Sequence, residues 1–174
     1  MARPDLYCDD QALLGECDVH ITKSSGPGGQ HRNKVSSAVR LRHRPTGITA
    51  NGDDSRSQHD NRRMALRRMR MNLAVQLREP VDRTAPRPPA GWDRHLTPDR
   101  GGQRRLIVSA TSEDYWPIAA FLLDLLEACE GKLSDAAVLA GLTGSNITKV
   151  LQADRHALTA AQDVRKRFGL GTIR

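Results

Sequence analysis

A chain of 174 residues has room for one large or two small domains, and 38% apolar content permits a modest core. The longest apolar run, residues 118–126, is too short to span a bilayer and is interrupted by Asp124; Asp5, Asp9 and Asp10 at the start leave no hydrophobic signal core. The net charge of +7 is uneven: residues 20–80 hold 13 Lys and Arg against 4 Asp and Glu, so the rest sums to −2, and a basic module joined to a near-neutral one points to a nucleic-acid surface on the first.

In chain order, residues 1–16 read as an amino-terminal lead. Cys17-Asp18-Val19-His20-Ile21-Thr22 alternates apolar and polar, the period of a strand. A glycine loop follows, and residues 33–38 suit one short helical turn. Val39-Arg40-Leu41-Arg42-His43-Arg44 alternates again, with Val39 and Leu41 on one face and the arginines on the other. Pro45-Thr46-Gly47 signals a turn and residues 48–51 resume a strand, so 39–51 reads as a hairpin. Ser57 is a plausible N-cap for a helix over 58–77, in which Leu66, Met69, Leu73 and Leu77 form an apolar stripe before the stop at Pro80.

This predicts an α+β domain over 17–80, a small mixed sheet with one long helix. Residues 81–105 hold Pro86, Pro88, Pro89 and Pro98 with six arginines, the composition of a mobile, extended linker. From 106 to 174 the chain reads all-α. Ser112 would cap a helix over 113–129, with Pro117 tolerable only in its first turn. Two short helices, 133–142 and 145–152, flank Thr143-Gly144, and a last one covers 159–168. Ala137, Gly141, Ile147 and Val150 suit a helix-turn-helix unit, or equally a plain helical hairpin.

The segment Ser24-Ser25-Gly26-Pro27-Gly28-Gly29-Gln30-His31-Arg32-Asn33 carries the most information. Two glycines before a glutamine let bare backbone approach a partner closely, and Lys23, Arg32 and Lys34 suit a polyanion. Arg100-Gly101-Gly102-Gln103 repeats the tripeptide without the Ser-Ser-Gly-Pro lead or the Asn-Lys sequel, and reads as chance in a linker. Cys8, Cys17 and Cys129 have no C-x-x-C spacing, which argues against a disulfide scaffold or zinc knuckle and suits a reducing compartment. The histidines form no H-x-x-x-H pair, and no phosphate-binding G-x-x-x-x-G-K-[ST] loop occurs, so neither metal nor other cofactor is expected. Asp18, His20 and Ser24 share one strand-loop segment, and their spacing does not establish a nucleophilic triad. Asp53-Asp54 reads as a turn rather than a metal site.

Residues 23–39 and 45–48, with Arg56-Ser57-Gln58-His59, resemble the catalytic domain of the class I bacterial peptide chain release factors over roughly residues 17–78. The resemblance implies ribosome-dependent hydrolysis of the ester between a nascent peptide and transfer RNA, with Gly28, Gly29 and Gln30 catalytic. The Gln30 N–H would be a main-chain donor to charge developing on the tetrahedral intermediate or the leaving ribose oxygen. Lys23, Arg32 and Lys34 would meet ribosomal RNA phosphates. Ser24, Ser25, Asn33, Arg56 and Gln58 would complete the RNA-binding set, and for Asn33 and Gln58 plain capping is an equal reading. By analogy, Gln30 is expected to be N-methylated by a glutamine methyltransferase. The implied partners are large-subunit RNA and peptidyl-tRNA, and the implied location is cytoplasmic.

With only about 16 residues before the first strand, no codon-recognition domain is expected, and the layout is closer to the small codon-independent hydrolases that rescue stalled ribosomes. Residues 81–105 have the composition of the basic tail such hydrolases carry, while the helical segment after them does not match such a tail. The competing readings are a ribosomal-RNA-binding module without hydrolysis, and a helix-turn-helix regulator using residues 145–152, where Lys149 is the one cation.

Overall fold

The three-dimensional structure, a computed structural model, describes residues 3–22, 37–99 and 101–173. Contacts divide the chain into two units, one over Cys8–Leu73 and the other joining Ala2–Tyr7 to Ala74–Arg174.

The first unit opens with a helix the sequence did not suggest, α1 (Asp10–Gly15), within the expected lead. It is too short for periodicity to show. It is held by Asp9, whose side chain accepts from the Ala12 N–H at 2.7 Å, and by the buried Leu13. Strands β1 (Cys17–Thr22), β2 (Ala38–His43) and β3 (Thr49–Gly52) follow within a residue or so of expectation and pair in the order β1-β2-β3. The sheet is antiparallel throughout rather than mixed. At β2–β3 the physical reason is the tight turn at Pro45-Thr46-Gly47, far too short for the crossover a parallel pair needs. Val39, Leu41 and Ala50 are buried while Arg40 and Arg42 are exposed, as alternation requires. The turn between β2 and β3 uses Gly47 at φ +72°, a conformation costly for other residues, and the Gly47 N–H donates to the His43 carbonyl at 2.8 Å. Of the helical turn expected over 33–38, residues 33–36 lie outside the described residues, and Ala38 begins β2 instead.

Helix α2 (Gln58–Gln76) starts where Ser57 was expected to cap it: Ser57 Oγ accepts from the Asp60 N–H at 3.2 Å. Its buried face is Ala65, Leu66, Met69, Leu73 and Ala74. Leu77 is only half-buried and lies past the helix end.

The second unit is built on α3 (Tyr115–Ala128), whose residues Tyr115–Leu126 are all buried; a helix apolar on every side is the centre of its bundle. Pro117 sits in its first turn, where no hydrogen bond is lost. Around it pack α4 (Leu133–Ala140), α5 (Gly144–Gln152) and α6 (Arg155–Arg167). Helix α6 starts four residues before the expected Thr159, because the Asp154 side chain caps it by accepting from the His156 N–H at 2.7 Å. The one acid in the buried stretch of α3, Asp124, is bound by Arg3 at 2.7 Å, by Arg78 at 3.3 Å and by the Glu79 N–H at 3.0 Å. Burial pushes its carboxyl up in pKa, and the two guanidinium groups pull it back.

The segment expected as an extended linker is partly folded. No helix or strand occurs over residues 81–89, but a 3-10 turn (Asp93–His95) leads into a hairpin of β4 (Leu96–Pro98) and β5 (Arg104–Leu106). Proline and arginine content had obscured the anchors Trp92 and Leu106, which are 4% and 1% exposed.

Candidate functional site

The Gly-Gly-Gln segment connects β1 to β2 in the chain. The last rung of the β1–β2 ladder pairs Thr22 with Ala38, so the chain leaves and re-enters the sheet at one place. Lys23, Ser24, Ser25, Gly28, Gly29, Gln30, Arg32, Asn33 and Lys34 all lie outside the described residues. The structure therefore speaks to their frame.

That frame converges on Asn61, a residue sequence reasoning missed. Fully buried near the start of α2, it donates through Nδ2 to the Ser37 carbonyl at 2.7 Å and the Ser55 carbonyl at 2.8 Å. Its Oδ1 accepts from the Ser55 N–H at 2.9 Å. One side-chain amide thus holds the re-entry point of the loop and the approach to the helix together. These main-chain groups belong to irregular backbone and have no ladder to satisfy them. A signal was available: Asn61, Ala65, Met69 and Leu73 recur every four residues, so the polar residue stands on the core stripe and needs buried partners.

Gly52 lets this happen. A Cβ there would lie 1.9 Å from the Asn61 carbonyl oxygen, so the β3 backbone meets the α2 backbone with no room for a side chain. Ser55 adds a local link, its Oγ accepting from the Ser57 N–H at 3.1 Å.

Of the expected RNA-contacting residues, Arg56 and Gln58 are described. Arg56 is exposed and Gln58 half-buried, at the approach to α2 and its first position. Neither side chain has a hydrogen bond or ion pair with another described residue, and the side chain that caps α2 is that of Ser57. The structure brings these two near the segment held by Asn61; it leaves their contacts with the loop undescribed.

The remaining cations of this unit sort into two sets. Arg68 binds Asp54 at 3.0 Å and the Asn51 carbonyl at 2.7 Å, and its hydrogen bond holds the Asp54 carboxyl below the usual range. Arg70 binds Asp10 at 2.5 Å and the Cys8 carbonyl at 2.6 Å, Arg63 lies 3.4 Å from Asp60, and Arg42 and Arg44 lie 4.0 and 3.6 Å from Asp18. Arg40, Arg56, Arg62 and Arg67 have no carboxylate within ion-pair distance among the described residues. Four uncompensated guanidiniums give the unit a positive field that a polyanion would neutralise. Burial pushes the Cys17 thiol up in pKa, so it stays protonated and is no nucleophile near neutral pH. No group of three or more His, Cys, Asp or Glu among the described residues is placed to hold a metal, and no described helix is long and apolar enough to cross a membrane.

Known proteins share this pattern. The RF-1 domain family matches residues 14–105, more than half of the chain. Peptide chain release factor 2 of Variovorax paradoxus is 57% identical over 72 residues, covering 40% of this chain and 20% of that protein. Peptide chain release factor 1 of Erythrobacter litoralis is 44% identical over 75 residues, 43% of this chain and 20% of its own length. Peptide chain release factor 2 of Nautilia profundicola is 36% identical over 98 residues, with 53% and 27% covered. The chain therefore spans about a fifth to a quarter of the relatives it matches. Sequence, sheet, helix and matched span agree, and the chain belongs to the RF-1 domain family.

Proposed function

We propose that this protein acts on the ribosome as a release-factor-like peptidyl-tRNA hydrolase, and that it does so without reading a stop codon, freeing peptides from stalled complexes. The observation that carries the reading is the full string from Ser24 to Lys34, with Gly28-Gly29-Gln30 at its centre, set between two adjacent strands of an RF-1 domain. In the proposed reaction, water attacks the ester carbonyl. The Gln30 main-chain N–H donates to the charge that develops, a donor fixed beforehand that gives up no proton. Gly28 and Gly29 supply the clearance that lets backbone reach the terminal adenosine. The Gln30 side chain fills the space a larger nucleophile would take. Lys23, Arg32, Lys34 and Arg56 meet phosphates, which position the loop without reading sequence. Methylation of Gln30 by a glutamine methyltransferase belongs to the same proposal and is checked by the mass of the peptide containing Gln30.

The helix-turn-helix reading has less behind it. Gly141 does turn the chain between α4 and α5, at φ +65°, but α5 exposes Ser145, Gln152 and one cation, Lys149.

Release of labelled peptide is the test, using purified ribosomes carrying peptidyl-tRNA with a stop codon, with a sense codon, or with messenger truncated at the decoding site. Equal release on all three, or release on the truncated complex alone, supports codon-independent rescue. Release with the stop codon only replaces it with termination. Tight binding without release on any complex leaves an RNA-binding module.

A further inference from the structure

The hairpin of β4 and β5 is fixed at its base and free beyond it. At the base, the Asn146 side chain pairs with both main-chain groups of Leu106: Oδ1 accepts from its N–H at 2.7 Å and Nδ2 donates to its carbonyl at 2.9 Å. The amide imitates a neighbouring strand and ties β5 to α5. His95, just before β4, is held by Asp114 at 2.8 Å, and its carbonyl accepts from the Ile107 N–H at 2.9 Å. Asp114 is itself 4% exposed.

Past Leu96 and Leu106 the one apolar side chain among the described residues of the arm is Pro98. Thr97, Pro98, Gly101, Gly102, Gln103, Arg104 and Arg105 are all exposed. Arg104 and Arg105 are consecutive strand residues, so they project to opposite faces of the ribbon. Neither has an ion-pair partner among the described residues, whereas Arg94 is spent on Asp114 at 2.8 Å. Asp99 does not neutralise them either: its Oδ1 accepts from the Gly101 N–H at 2.8 Å and the Gln103 N–H at 2.9 Å, building the tip. An arm with a single small apolar side chain is a poor protein-docking surface. A rigidly mounted ribbon with bare guanidiniums suits phosphates.

We infer that this hairpin is an RNA-backbone contact mounted on the helical unit, through which Arg104 and Arg105 each neutralise a phosphate. The choice of RNA over another polyanion rests on the proposed action on the ribosome; the charged arm does not.

The test uses the full chain and purified ribosomes. Binding is measured across a series of salt concentrations for wild type, Arg104→Ala/Arg105→Ala, Arg104→Lys/Arg105→Lys and Gln103→Ala. Losing two phosphate contacts should reduce the slope of log affinity against log salt by about 1.4 to 1.8 and weaken binding about tenfold at physiological salt. The lysine pair should keep the wild-type slope, and so should Gln103→Ala. A slope unchanged in the alanine pair overturns the inference, as does an equal loss in Gln103→Ala or in the lysine pair. So does a slope change seen on duplex DNA with no binding to ribosomes. As a second measurement, a dicarbonyl reagent that modifies arginine is applied to the wild type, with and without ribosomes, and read by peptide mass. Arg104 and Arg105 should be protected in the complex; full reactivity there overturns the inference even if the alanine pair folds poorly. Peptide release at saturating wild-type protein is scored separately. Failure of release removes the hydrolase reading, while the slopes and protection still decide the arm.

Discussion

Both units solve one problem with one residue type. Asn61 in the first and Asn146 in the second are buried asparagines near helix starts, each spending its amide on main-chain N–H and carbonyl groups of another segment. They differ in what they hold. Asn61 joins two irregular stretches, Ser37 and Ser55, across three hydrogen bonds. Asn146 grips a single strand residue, Leu106, by two. The first device locates the mouth of a loop and leaves no slack. The second sets the root of an arm whose outer residues stay in solvent. The mouth of the loop is thus tied to the helix approach by one amide, whereas the arm is rooted at both strands, by Asn146 on Leu106 and by Asp114 on His95.

Substitutions can break that comparison. The largest effect is expected at the loop itself: Gln30→Pro removes the main-chain donor and should release peptide about 10²–10³-fold more slowly than Gln30→Ala in single-turnover assays. Equal rates in the two variants would remove the N–H from the mechanism. Next comes Gly52→Ala, which drives a methyl into the Asn61 carbonyl and should cost about 3 kcal/mol in urea melts, because backbone on both sides must give way.

The asparagine pair sharpens the contrast. Asn61→Ala strands three main-chain partners and should cost about 3 kcal/mol, with slower release at saturating protein. Asn146→Ala strands two and should cost about 2 kcal/mol, with weaker ribosome binding as its functional signature. If the two variants shift the same functional readout, the division of labour is wrong. The smallest effect is at Asp54, whose carboxyl lies below its ordinary pKa because Arg68 hydrogen-bonds it. Its contribution is present above the usual carboxylate pKa and fades as pH falls through the lowered folded value. Asp54→Asn should therefore flatten the acid limb of the stability curve slightly, with little change between pH 6 and 8.

The strands and α2 were legible because period and punctuation agreed: alternation at Val39–Arg42, a turn at Pro45-Thr46-Gly47, and a stripe ending before Pro80. The loop string stands in the sequence at positions outside the described residues, and its frame was not legible there. Asn61 reads locally as a capping residue, and only the burial of Ala65 and Met69 below it shows that its amide must turn inward. Helix α1 stayed hidden because a single buried leucine carries it. The hairpin over 96–106 was lost to composition: prolines and arginines look like a linker, while the partner that orders Leu106 lies 40 residues later in the chain.

The tip that Asp99 builds bears on how such chains are searched. A tight reversal favours glycine where φ is positive, here Gly102 at +77°, and a carboxylate bent back on the following amides. Gly-Gly before a polar residue satisfies that demand with no chemistry attached, so hairpins in unrelated proteins will produce the same three letters. A text match on the tripeptide scores this chain twice; one that also demands a lysine before it and Asn-Lys after it scores it once, at the position that lies between paired strands.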